Sequence, residues 1–155
     1  IRVGFKDPYH HSDPVSPDEY FYQEQGVDYE QRFDGFWFDR DLEAEQDAFD
    51  RLVGDAENYI FVQSDKDRGF PLMDVWDDDA LVVNNDPSIP LFHLGLILER
   101  ASELHLPNSS IRCLIEGRQV FDLSGPRLVF HDLRAPIWGD STRLKWAETI
   151  AYGNG

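Results

Sequence analysis

Apolar and polar positions change period several times along the chain, and each change marks an element. From Asp39 to Gly54, Leu42, Phe49, Leu52 and Val53 fall on one helical stripe and Gly54 supplies the stop, which predicts an amphipathic helix. The run "NYIFVQ" (58–63) is continuously β-branched and aromatic, too apolar for a sheet edge, and predicts a buried parallel strand. "ALVVN" (80–84) predicts a second strand of the same kind. Leu91, Leu94, Leu98 and Ala101 then recur at helical spacing within "DPSIPLFHLGLILERASELH" and predict a long helix. "ELHL" reads as a short strand, "SSIRCLIEG" as a short helix closed by Gly117, and "RLVFHDL" (127–133) as a further strand. Nearer the start, "IRVGF" is β-like. Pro8, Pro14 and Pro17 then forbid regular structure until Ser16–Pro17 opens a short helix through "DEYFYQEQ" that Gly26 ends. "FDGFWF" reads as a loop or a short extended piece.

Strands that are continuously apolar and alternate with helices predict an α/β fold. It is a Rossmann-like three-layer αβα arrangement around a mostly parallel sheet. The expected layout is one domain over 1–155: an irregular or helical lead-in at 1–56, a core α/β unit at 57–135 and a C-terminal extension at 136–155. Ligands of such sheets sit beyond the carboxyl ends of the strands, where the polar turns "SDKDRG" and "PNSS" are expected to lie.

The 155 residues are enough to bury a core, and no apolar run approaches the roughly 20 residues of a membrane span. A net charge of −16 disfavours nucleic acid and anionic membrane surfaces as partners, since both are bound through clustered Lys and Arg. An anionic small molecule would need a local nest of Arg, Lys and backbone N–H groups. Cys113 has no partner for a disulfide and sits in an apolar helical pattern, which predicts a small core residue. Together with the lack of a basic, apolar leader this points to a reducing, cytoplasmic location, while a chain beginning at Ile1 is expected to be a fragment.

Two stretches carry the candidate chemistry. In "YIFVQSDKDRG" a strand ends in Asp65, Lys66, Asp67 and Arg68. This is either a solvated charged turn, or a rim where Arg68 or Lys66 meets a phosphate and Asp65 accepts from a base or ribose. In "PNSSIRCL", Asn108 or Ser109 suffices as a helix cap. Ser110 and Arg112 exceed that need, and with Asn108 and Ser109 they can bind a diphosphate through hydroxyl, backbone N–H and guanidinium donors.

Other groups have readings of two kinds. The Asp-rich "DVWDDDALV" is either a divalent-cation clamp or a solvated loop. His10, His11 and Asp13 form either a zinc site or exposed loop residues. His93 and His105 read as hydrogen-bonded core or rim residues, and His131, with Arg134 after it, as a border of the same cleft. Tyr20, Phe21, Tyr22, Phe36, Trp37 and Phe38 read as core packing rather than a sugar-stacking platform. There is no GxSxG, GxGxxG or GxxxxGK(S/T).

"YIFVQSDKDRGF", then "LFHLGLILERASELHLPNSSIRCLIE", then "LVFHDLRAP" resemble the C-terminal, nucleotide-sugar-binding half of GT-B-fold glycosyltransferases, particularly the fucosyltransferase-like ones. The resemblance covers roughly 57–135. It implies a nucleoside-diphosphate sugar as ligand, with Asp65 near the base or ribose and Ser109 and Ser110 on the diphosphate. Arg68 and Arg112 are implied as its charge partners, and Lys66 and Asn108 join the candidate binding residues from the chemistry of the two turns. The basic HxRRGD stretch of the fucosyltransferases has no equivalent, and the N-terminal acceptor domain is expected to be missing from these 155 residues. Two functions follow as expectations: a glycosyltransferase-like donor-binding domain that is incomplete without its acceptor domain, or a non-catalytic α/β binding or assembly module. No catalytic residue, metal or cofactor is assigned. Apolar surface left by a missing domain would favour a homodimer.

Overall fold

The computed structural model describes residues 17–64, 66, 71–73, 75–76, 79–116, 120–133 and 144–152. The "IRVGF" strand, the His10, His11 and Asp13 group, Arg134, and Asp74, Asp77 and Asp78 of the acidic run lie outside them.

Helix α1 (Pro17–Gln25) begins at the expected proline, and a one-turn helix, α2 (Gln31–Asp34), forms in the stretch expected to be loop or extended. Helix α3 (Leu42–Leu52) is capped by Asp41, whose side chain accepts from Ala44 N at 3.1 Å. It ends where Gly54 takes a positive φ of 63°, a conformation costly for residues with a Cβ. Its buried stripe differs from expectation. Leu42, at the exposed first turn, is 59% accessible, and the inward positions are Glu45, Ala48, Phe49 and, just past the helix, Val53.

Five strands follow: β1 (Ile60–Val62), β2 (Val82–Asn84), β3 (Glu103–Pro107), β4 (Arg127–Asp132) and β5 (Glu148–Ala151). Helix α4 (Gly95–Arg100) precedes β3, and α5 (Ser110–Glu116) follows it. The strands form one sheet of order β2-β1-β3-β4-β5, and every neighbouring pair is parallel. The expected α/β, Rossmann-like three-layer architecture is therefore present. β1 is buried throughout, as its apolar run requires, whereas β2 is an edge strand with only Val83 buried.

The long helix expected around Leu91–Ala101 is broken into a 3-10 turn (Leu91–His93) and the six-residue α4. It stops at Ala101, whose backbone is extended, because β3 begins two residues later and Ser102 is tied to β1: its N–H and hydroxyl both donate to Tyr59 O. Strand β5 arises inside the expected C-terminal extension.

One face of the sheet, with Phe61, Val83, Leu104, Leu106 and Leu128, packs against α3, α4 and α5 through Phe49, Ile97, Leu98, Ile111, Leu114 and Ile115. The other face carries Ile60 and Val62 and is covered, among the described residues, by Leu72, Trp76 and Leu133. Tyr59, 2% accessible, donates its hydroxyl to Ile97 O at 2.6 Å and so ties the strand layer to α4. Burial pushes its hydroxyl pKa up. Helix α5 turns Ile111, Leu114 and Ile115 inward, which rotates Cys113 outward; the cysteine expected in the core is exposed. Trp37, also expected in the core, is 66% accessible.

An ionic cluster joins α3, α4 and the segment before β4. Glu45 is fully buried and receives Arg40 Nε and Nη2 at 2.9 and 2.6 Å and Leu96 N at 2.9 Å. The same guanidinium donates to Glu99 through Nη1 and Nη2 and to Val120 O, while Glu99 also accepts from Asp122 N. Gly95 leaves room for this contact, since a Cβ there would lie 2.3 Å from Glu45 Oε2.

No helix among the described residues is long and apolar enough to cross a membrane.

Candidate functional site: a cleft at the switch point of the sheet

The chain runs from β1 to β2 in one direction along the sheet, then returns past β1 to β3 and continues to β4 and β5. Crossovers of one hand must change face when the direction reverses. The β1–β2 connection accordingly places Leu72 and Trp76 on one face, and the β2–β3 connection places α4 on the other. The reversal parts the connections between β1 and β3 at the carboxyl edge, the place where open parallel sheets bind ligands. Because β1 pairs in parallel with both β2 and β3, the ends of all three strands meet there.

A cleft of about 630 Å³ lies at that point. Gln63 and Ser64 after β1, Asn85 and Asp86 after β2, and Asn108, Ser109 and Ser110 after β3 contribute its polar lining, and Ile89, Leu94 and Ile111 its apolar part. The rim is held by the protein's own hydrogen bonds. Ser64 N donates to Asn85 Oδ1 at 3.0 Å, Asn85 N to Val62 O at 3.1 Å, and Gln63 N to His105 O at 3.0 Å. Ser64 Oγ is buried with no partner among the described residues.

Asp86 is the charged side chain among the described lining residues. Hydrogen bonds from the Ser88 hydroxyl and amide, and then from Arg51, hold its carboxyl down at about 2, so it stays ionised.

The structure brings together Asn108, Ser109 and Ser110 of the residues singled out from the sequence. Ser109 works as the cap of α5: its Oγ accepts from Arg112 N at 3.2 Å and donates to Gln63 Oε1. Ser110 is exposed at the mouth. Arg112 does not line the cleft. Its Nη1 donates to Asn108 Oδ1 at 2.9 Å, and its Nε and Nη2 donate to Glu116 Oε1 at 3.2 and 2.9 Å. Lys66 is exposed beyond β1, and Asp65 and Arg68 lie outside the described residues.

Gln63, Ser64, Asn85 and Asp86 were not singled out from the sequence. Their signal was positional: each is one of the first two polar residues after a strand that ends at this edge.

The capping geometry separates the two serines. Ser109→Ala is expected to cost about 1 kcal/mol of stability, through loss of the Arg112 N–H acceptor, and Ser110→Ala about 0.5 kcal/mol or less. Urea unfolding midpoints of the two variants check this.

Fold and cleft together define a class: a doubly wound, all-parallel α/β domain with a polar cleft at its switch point. No family model matches the chain, and neither does any curated protein or solved structure.

Proposed function

We propose that this protein binds a small, polar ligand in the switch-point cleft, and that the ligand is a nucleoside-diphosphate sugar. The observation that carries this reading is the convergence of polar turns from β1, β2 and β3 on one cleft. The volume supports it, since small-molecule sites typically measure roughly 300–1,000 Å³. The lining supports the sugar and ribose part of that ligand: amides and hydroxyls, with one ionised carboxylate, match their many hydroxyls. The amide-rich wall from Gln63 and Asn85 offers both donors and acceptors to a base edge.

Sugar transfer, on this reading, is completed by an acceptor domain outside the chain, and the cleft's part is to hold and orient the donor.

A second reading is favoured by one specific observation. The Ser109 hydroxyl and the Arg112 guanidinium already serve the protein's own structure, which suits a non-catalytic binding or assembly module. Calorimetry with UDP, GDP and their sugar conjugates separates the two. The donor-binding reading expects saturable binding, weakened about fivefold by Ser110→Ala for loss of one hydrogen bond. Absence of heat with every nucleotide would leave the module reading standing.

A further inference from the structure

We propose that Glu103, His105, His131 and Tyr152 form a directional proton relay that connects a tyrosine hydroxyl at the carboxyl edge of the sheet to solvent at the amino edge. The chain of contacts lies on the face opposite α3–α5. His105 and His131 are 1% and 0% accessible, yet every ring nitrogen has a partner. His105 Nε2 lies 3.0 Å from Glu103 Oε2, His105 Nδ1 lies 3.0 Å from His131 Nε2, and His131 Nδ1 lies 2.8 Å from the Tyr152 hydroxyl. Tyr152 O accepts from Met73 N at 2.6 Å. Trp76 packs edge-on against the His105 ring and closes that side.

The chemistry of the two ends fixes the direction of every bond between them. An ionised carboxylate only accepts hydrogen bonds, and Glu103 also accepts from Arg127 Nη1 at 2.9 Å. His105 must therefore carry its proton on Nε2. A neutral imidazole has one N–H, so His105 Nδ1 is an acceptor and His131 must donate to it from Nε2. His131 Nδ1 then accepts from the Tyr152 O–H. Both rings are neutral in this arrangement: a proton added to His105 Nδ1 would set N–H against the His131 Nε2–H, and burial disfavours charge on either ring. Burial pulls both their pKa values down; the proximity of His105 lowers His131 further, while Glu103 opposes the shift at His105 without reversing it.

Shifting one proton across each of the three bonds turns Tyr152 into tyrosinate and Glu103 into the carboxylic acid. Three protons are bound before and after, and both imidazoles begin and end neutral. In the shifted form the Tyr152 oxygen accepts a proton from water or from a hydroxyl bound at the carboxyl edge. Glu103, half-buried on the first residue of β3, releases its proton to solvent. The relay uses a different face of the sheet from the cleft and stands independently of the ligand proposed for it.

Nitrogen-15 NMR of histidine in the intact protein at neutral pH tests the direction without a variant: both rings are expected in the Nε2–H form. Glu103→Gln presents an amide that can either donate or accept, and Tyr152→Phe removes the outlet. Each is expected to slow solvent exchange of the imidazole N–H protons by about tenfold. A merely structural network behaves in the opposite way, since losing a hydrogen bond loosens the fold and speeds exchange. An Nδ1–H or imidazolium form of either ring in the wild type would overturn the proposal. So would unchanged or faster exchange in both variants.

Discussion

Arg40→Ala is expected to lower the unfolding free energy by about 3–5 kcal/mol, the range seen when one partner of a buried ion pair is removed. The cost comes less from the lost attraction than from what stays behind. Glu45 is fully inaccessible, and after the substitution Leu96 N is its remaining partner among the hydrogen bonds described above. Glu99 is 16% accessible and loses two donors at once. The hydrogen bonds that the guanidinium donates to Glu45, and then to Glu99, hold its pKa above its ordinary value. Arg40→Lys is expected to recover less than half of the loss, because one ammonium cannot span two carboxylates and a carbonyl as a planar guanidinium does. Gly95→Ala attacks the same cluster from α4, driving a Cβ to within 2.8 Å of Arg40 Nη2 as well as into Glu45. In a double-mutant cycle the two changes are therefore expected to be strongly non-additive. Urea unfolding of the two single variants and the double variant measures all of this. Additivity, or a loss below about 1 kcal/mol for Arg40→Ala, would show that the cluster does not hold α3 to α4.

Acidification is expected to destabilise the fold in a window set by the two buried histidines. In the unfolded chain both titrate near 6.5, the ordinary histidine value. In the folded protein burial, with His105 adding to it, pulls His131 down to about 4, and burial pulls His105 down against the opposing pull of Glu103. Between about 6.5 and 4 the unfolded state thus binds protons that the native state refuses, so stability falls as pH falls. His131 alone is expected to account for about 2–3 kcal/mol across that window. The carboxylate of Asp86, held at about 2, loses its contribution only below its ordinary value of 3.8, which keeps the two effects apart. Chemical unfolding at a series of pH values measures the slope. A flat profile from pH 7 to 4.5 would mean that the histidines are charged in the native state.

The parallel sheet was legible because its central strands are continuous apolar runs. "NYIFVQ" and "ELHLP" are buried on both faces, and no amphipathic alternation competes with that reading. β5, "ETIA", was not legible, because its residues are mostly exposed and it is held by backbone pairing to β4 rather than by burial. Helical spacing over Leu91–Ala101 identified an apolar stripe correctly but not its length. The link to β3 leaves room for only six α-helical residues, and tertiary geometry overrides periodicity there.

The site was half legible for a related reason. Asn108, Ser109 and Ser110 stand out because a proline breaks the strand before them. Gln63, Ser64, Asn85 and Asp86 become a site only once the strand order places β1 between β2 and β3. Arg112 shows the limit in the other direction. Its position one turn into α5 looked like a phosphate contact, but Glu116, a further turn on, satisfies it first. Leu42 misled similarly: an apolar residue in the first turn sits outside the buried stripe that Glu45 occupies with Arg40 as its counter-charge.

The central claim, that the cleft at the switch point is where this protein meets a ligand, is tested most directly by an amide NMR titration of the intact chain with UDP- and GDP-sugars. The account expects saturable shifts confined to Ser64, Asn85, Asn108, Ser110 and their neighbours at the ends of β1, β2 and β3. Shifts clustered elsewhere on the molecule, or none at millimolar ligand, would contradict it.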